Sequence, residues 1–276
     1  MDKSTRRRRV HRKHTSRKDH RRQVHYKHTM RQRRQQRGGH LSDMIGQLKN
    51  PEDWSHWVAE MRSAFSHGVL TVASLDKAMT HVINSKIYFQ TAAKNSPDMK
   101  VTNEDAAVMQ LLEEADTEIT GTRQAVADVS RQMGDMLKNV SSANAADYQK
   151  TMDDKLGRPS RIDTTTPKGT WIKELNVAYN SVVVATSEIK NRAIPYIIQA
   201  KDDFDKAFLA VGWNPELAQK VQDTKTNDIT RMGIRDLKDA YERLSIVAIK
   251  MASELKKHNI KDFAKTHDYN LRHYLK

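Results

Sequence analysis

The sequence predicts an all-α chain, an elongated antiparallel bundle of about four long coiled-coil-like helices preceded by a basic arm. Three observations predict it. From position 54 onward apolar residues recur at spacings of three and four over many turns, with no convincing period-two segment. Only 10 Gly and 6 Pro occur in 276 residues, and the one long Gly/Pro-punctuated stretch is 153–169. Finally, the net charge of +14 is confined to residues 1–40, while 41–276 carry thirty-two basic and thirty-two acidic residues.

The arm holds twelve Arg and four Lys against Asp2 and Asp19, with five apolar side chains, Met1, Val10, Val24, Tyr26 and Met30. Self-repulsion and the lack of apolar surface mean that it gains order from a partner rather than by folding alone. Gly38-Gly39 forms its junction with the body. Within it, Val10-His11-Arg12-Lys13-His14-Thr15-Ser16-Arg17 recurs fourteen residues later as Val24-His25-Tyr26-Lys27-His28-Thr29-Met30-Arg31, identical at six of eight positions. Two heptads of separation would put both units on nearly one face of a helix, roughly 21 Å apart. Biased composition can also repeat itself without any such geometry.

A first helix is expected near 52–94, after Asn50 and Pro51, with the seam Trp54, Val58, Met61, Phe65, Gly68, Val72, Leu75, Met79, Val82, Lys86 and Phe89. Gly68, where the helix would kink, and Lys86 interrupt it. A second, of about 50 residues, starts at the Thr102/Asn103 caps and follows Val108, Leu112, Ala115, Ile119, Thr122, Val126, Val129, Met133, Met136 and Val140. These two make a hairpin over 41–152, and 153–169 is the loop. The second hairpin with a C-terminal basic segment, 170–276, the last part 250–276 carrying +4, opens on Trp171, Leu175, Ala178, Val182, Ala185, Ile189, Arg192 and Tyr196, with Pro195 kinking or restarting the helix before Phe204, Phe208 and Val211. A short helix at 215–223 leads to the last seam, Leu237, Ala240, Leu244, Val247 and Met251. The two hairpins are expected to form one bundle domain. Stripes this long commonly pair with a second copy, so an oligomer or a larger assembly is expected.

Composition excludes several classes. With no Cys, disulfides, thiolate nucleophiles and Cys-ligated metals are ruled out. The arm has no apolar h-region for a signal peptide and no lipidation motif after Met1, and no stretch approaches a membrane span, so an intracellular, cytoplasmic, nuclear or virion setting is expected, without a membrane. No phosphate-cradling Gly-rich loop, nucleophile elbow, His-Glu-x-x-His or calcium loop occurs. The pairs His11/His14 and His25/His28 sit among sixteen cations that repel a metal ion. Asp202-Asp203 with Asp205, Glu52/His56 and Glu254/His258 have ligand-like spacing, which helices rich in Glu and Lys produce freely. No cofactor, metal or catalytic residue is therefore expected, and the chain reads as a non-enzyme.

Concentrated Lys and Arg bind phosphate by releasing counterions. The expected contacts to DNA or RNA are Arg6, Arg7, Arg8, Arg9, Arg12, Lys13, Arg17, Lys18, Arg21, Arg22, Lys27, Arg31, Arg33, Arg34 and Arg37. Tyr26 is the sole aromatic, so backbone contact without sequence preference is the expected mode. By layout the first 40 residues resemble the arm of viral coat and genome-packaging proteins, which implies a structural role in a phage or viral particle. One alternative uses the acidic stretch 98–118, net −6, as a receptor for the arm of the same or a neighbouring subunit.

Overall fold

The computed structural model describes residues 54–96, 103–140, 144–157, 170–209 and 225–258. The chain divides into two units, Met1–Lys49 and Asn50–Lys276, and every described residue belongs to the second. All elements described are helical: α1 (Trp54–Asn95), α2 (Asn103–Val140), α3 (Ala145–Lys155), α4 (Trp171–Glu188), a π-helical turn (Ile189–Ala193), α5 (Ile194–Leu209) and α6 (Lys225–Lys257).

Helix α1 packs on α2, α4 and α5, and α6 closes against α2 and α4. Cross-helix pairs give the directions. Arg123 meets Asp76 and Asp116 meets Lys86, so α2 runs opposite to α1. Glu188 meets Lys77 while Asp203 meets His67, so α4 and α5 also descend along α1. Gly233 faces Thr122 and Arg243 reaches Glu114, which sets α6 antiparallel to α2. One continuous apolar core joins these helices, with Leu75, Val82, Leu112, Ile119, Leu175, Val182, Ile189, Leu237, Leu244 and Val247 sealed from solvent.

Both interruptions of the first seam have partners on α2. Helix α1 continues through Gly68, where an added Cβ would lie 2.1 Å from Ser130 Oγ, so the missing side chain admits Ser130. Lys86 carries its ammonium to Asp116, 3.9 Å away.

The expected 50-residue second helix is corrected to two elements, because α2 ends at Val140 and α3 begins at Ala145. Asn144, a residue type that favours helix ends over helix interiors, stands just ahead of α3 with a backbone outside the α-helical region. The separate helix α3 then sets Tyr148 edge-on to Phe65, with ring centroids 5.8 Å apart. Met152, one turn on, fills the space left by Gly134. The end of α3 is clasped by α2: Arg123 Nη2 donates to the Gly157 carbonyl at 2.7 Å, and Arg131 donates to that of Leu156. Two cations thus satisfy carbonyls that a helix C-terminus leaves unpaired.

The third seam is corrected in register. From Leu175 through Ile189 it is buried as expected, with Trp171 partly buried, but Ala193 and Ile197 continue it, while the Arg192 side chain is exposed and Tyr196 half-buried. The cause is the π turn, in which Ile194 N–H donates to Ile189 O, five residues back. It accommodates Pro195, which has no N–H to donate and whose ring collides with the carbonyl four residues earlier in a regular helix. The extra residue in the turn moves the buried stripe by one position. Phe204 returns to the core, and Leu237, Ala240, Leu244, Val247 and Met251 of α6 are all buried as expected. The expected helix at 215–223, most of the 153–169 loop, and the side chains of Trp54, Val140, Phe208 and Val211 lie outside the described residues.

Candidate functional site

The fifteen basic residues expected to contact phosphate, Arg6 to Arg37, lie outside the described residues, as do the paired histidines and Glu52. The described helices carry instead a series of charged junctions along α1.

Near the start of α1 stands Asp203 of α5, 3% exposed. Ser63 Oγ donates to its Oδ2 at 2.7 Å and His67 Nδ1 lies 2.9 Å from the same atom. Gln199 Nε2 donates to Oδ1 at 3.1 Å, and Lys206 Nζ stands 3.6 Å from it. Tyr196 stacks over the His67 ring. Burial pushes the carboxyl upward, but the hydrogen bonds from Ser63, Gln199 and His67 outweigh it and bring Asp203 below its ordinary value. Ser, His and Asp do not form a relay here. Nucleophilic activation needs the serine proton directed to imidazole, whereas both side chains converge on one carboxylate oxygen. The junction holds α5 to α1.

About three turns further along α1, Glu188 at the end of α4 accepts from Lys77 at 2.6 Å and from Arg192 at 3.2 Å. His81 beside it is lowered by burial, then by Lys77, with Glu188 acting the other way. On the opposite side Arg123, 3% exposed, makes a two-pronged contact with Asp76, Nε to Oδ1 at 2.8 Å and Nη2 to Oδ2 at 3.2 Å.

Three of the seven acids in the acidic stretch, Glu114, Asp116 and Glu118, are engaged from within. Arg243 of α6 donates to Glu114 at 2.9 Å and lies 3.1 Å from Glu118, and Lys86 faces Asp116. Glu114 is lowered by its bonds from Gln110 and Arg243, whereas burial raises Glu118 and Asp116. Glu113 remains exposed.

The Asp202, Asp203 and Asp205 spacing gathers no ligand set. Asp203 turns to α1, Asp205 pairs with Lys201, and Asp202 faces solvent. His258 lies 3.6 Å from Glu254, whose other oxygen accepts from Lys257, and its ring meets the edge of Trp171. Among the described residues no group of three His, Asp or Glu is arranged to hold a metal ion. A cavity of about 30 Å³ between Gly68, Val126, Val129, Ser130, Met133 and Ile197 has room for about one or two waters, far less than a substrate needs. No described helix is long and apolar enough to cross a membrane.

Sequence reading missed Arg123 and the Ser63/His67/Asp203 junction. Neither has a local signature, since their partners are 47 and at least 136 positions away. Compared with known proteins, the chain matches no family model, no curated protein and no solved structure.

Proposed function

We propose that the chain is a non-enzymatic nucleic-acid-binding structural protein. Its basic arm neutralises the phosphate backbone of DNA or RNA without sequence preference. Its helical body, an antiparallel bundle of about four coiled-coil-like helices, provides self-association or docking within a large intracellular assembly such as a phage or viral particle. The observation that carries this reading is the charge partition: +14 in residues 1–40 against zero in the remainder. A polycation on a neutral body is suited to counterion-release binding, which depends on charge density more than on the placement of any one residue. In support, the charged clusters described along α1 join helix to helix.

The second reading, an assembly protein whose arm anchors in acidic surfaces of neighbouring subunits, is favoured by the −6 of residues 98–118. It has less to draw on within this chain, because Glu114, Asp116 and Glu118 are already paired with Arg243 and Lys86.

The test is the affinity of the full chain for duplex DNA and duplex RNA across a salt series. The comparison is a full-length variant with glutamine at the fifteen arm positions. The expected result is a slope of log affinity against log salt on the order of ten that collapses in the variant. Weak binding that is insensitive to both salt and the arm would reject the proposal. Arm-dependent binding of the chain to itself without nucleic acid would favour the second reading.

A further inference from the structure

On α6, at 100° per residue, the exposed residues Arg231, Met232, Arg235, Lys238, Glu242, Ile246, Ile249, Lys250, Ser253, Lys256 and Lys257 fall within an arc of about 120°. Six are cations and one is an anion. The opposite arc, Leu237, Ala240, Leu244, Val247, Met251 and Leu255, is in the core. Of the acids on α6, Glu242 lies within this face and Asp239 toward one edge of it, where it acts on Arg243, while Asp236 and Glu254 flank it, Asp236 pairing with Arg235 at 3.4 Å and Glu254 with Lys257 at 2.7 Å. No ion pair among the described residues engages Lys238, Lys250 or Lys256. A body that is neutral overall therefore presents, from Lys238 to Lys256, a line of lysines without ion pairs that runs roughly 27 Å at the standard rise.

We infer that this strip is a second phosphate-binding surface, contacting the nucleic-acid backbone that the arm neutralises. The inference rests on the function proposed above. Uncompensated lysines on a rigid rod are preset at fixed separations, so binding phosphates orders only their side chains. The length of the strip favours a polyanion with charge repeated along its whole course over a short acidic peptide. Exposed Ile246 and Ile249, 45% and 52% accessible, occupy a single turn between the two groups of cations. Their presence makes a protein contact the alternative that the test must separate.

The test uses the full chain carrying Lys238→Gln, Lys250→Gln and Lys256→Gln. Its control is a full chain with the same loss of charge on other helices, Lys94→Gln, Lys150→Gln and Lys155→Gln, all exposed positions. Binding to duplex DNA and duplex RNA is measured across a salt series, and self-association by sedimentation. The expected result is a salt slope smaller by about 2 to 3 in the α6 variant, with a tenfold or greater loss of affinity at low salt, and a much smaller change in the control. Equal losses in both variants, or an unchanged slope in the α6 variant while the parent chain binds steeply, would overturn the inference and leave the arm-based function standing. Absence of salt-dependent binding in the parent chain would sink both. Weaker self-association with nucleic-acid binding unchanged would assign the strip to protein contact instead. If DNA and RNA binding fall together, the strip reads the shared phosphodiester backbone; a loss confined to one narrows it to that duplex.

Discussion

Asp203 and Asp116 both pack against α1, one near its beginning and one near its end, and their carboxyls shift in opposite directions. Asp203 has donors on both oxygens, from Ser63, His67 and Gln199, and falls below its ordinary value. Asp116 has Lys86 at 3.9 Å and an Oδ1 that is buried without a hydrogen-bond partner, so desolvation dominates and its carboxyl rises. Desolvation pushes both carboxyls upward; the supply of donors differs. One end of α1 is fastened by a satisfied charge, while the other tolerates a strained one. Between them Asp76 shows the satisfied case at its fullest, with both oxygens held by Arg123.

The largest expected effect lies at that midpoint. Replacing Arg123 with Met removes the partner of Asp76 and uncovers the Gly157 carbonyl, and is expected to cost about 3–5 kcal/mol in urea unfolding at pH 7. A smaller loss would mean that Asp76, being partly exposed, is rescued by water.

Next comes Asp203→Asn, expected to cost about 2 kcal/mol at pH 7 by disrupting bonds from three donors. The sign with pH follows from its lowered carboxyl. The contribution is present above the unfolded aspartate value and is lost as pH falls through the folded one. The difference between wild type and variant should therefore shrink on acidification, and a difference constant from pH 7 to pH 3 would contradict the assignment.

Asp116→Asn is expected to act with the opposite sign. A raised carboxyl means that the folded state holds the proton more tightly, so its contribution is present below the unfolded value and is lost as pH rises through the folded one. At pH 7 the variant should be as stable as wild type or more so by up to about 1 kcal/mol. Destabilisation at pH 7 would show that the Lys86 pair outweighs desolvation.

The smallest expected effect on stability is that of Lys238→Gln, Lys250→Gln and Lys256→Gln together, whose melting temperature should stay within about 2 °C of wild type. A larger drop would place these lysines in the fold rather than on a binding face.

What the sequence by itself determined is the class of structure and the location of charge. Four seams of period 3.6 dictate helices because no other backbone puts residues such as Val108, Leu112, Ala115 and Ile119 on one side. The sequence also marks irregular positions without saying what meets them: Gly68, Lys86 and Thr122 break their seams, and the structure sets them against Ser130, Asp116 and Gly233. The acidic run and the +4 of residues 250–276 are likewise legible as sums of charge. Only the tertiary structure decided which of those charges are neutralised. Arg243 reaches back 129 positions to Glu114, and nothing local distinguishes it from Lys238 or Lys250, which carry the same charge on the same helix. The register of α5 was also a tertiary matter, because Pro195 announces a disturbance but not its form. A kink, a restart and a π turn are all compatible with its missing N–H. It is packing of Ala193 and Ile197 in place of Arg192 and Tyr196 that selects the π turn, which adds one residue and so moves the buried face. Periodicity is a property of neighbours along the chain and survives in the sequence, whereas pairing depends on neighbours in space and exists only once the helices have met.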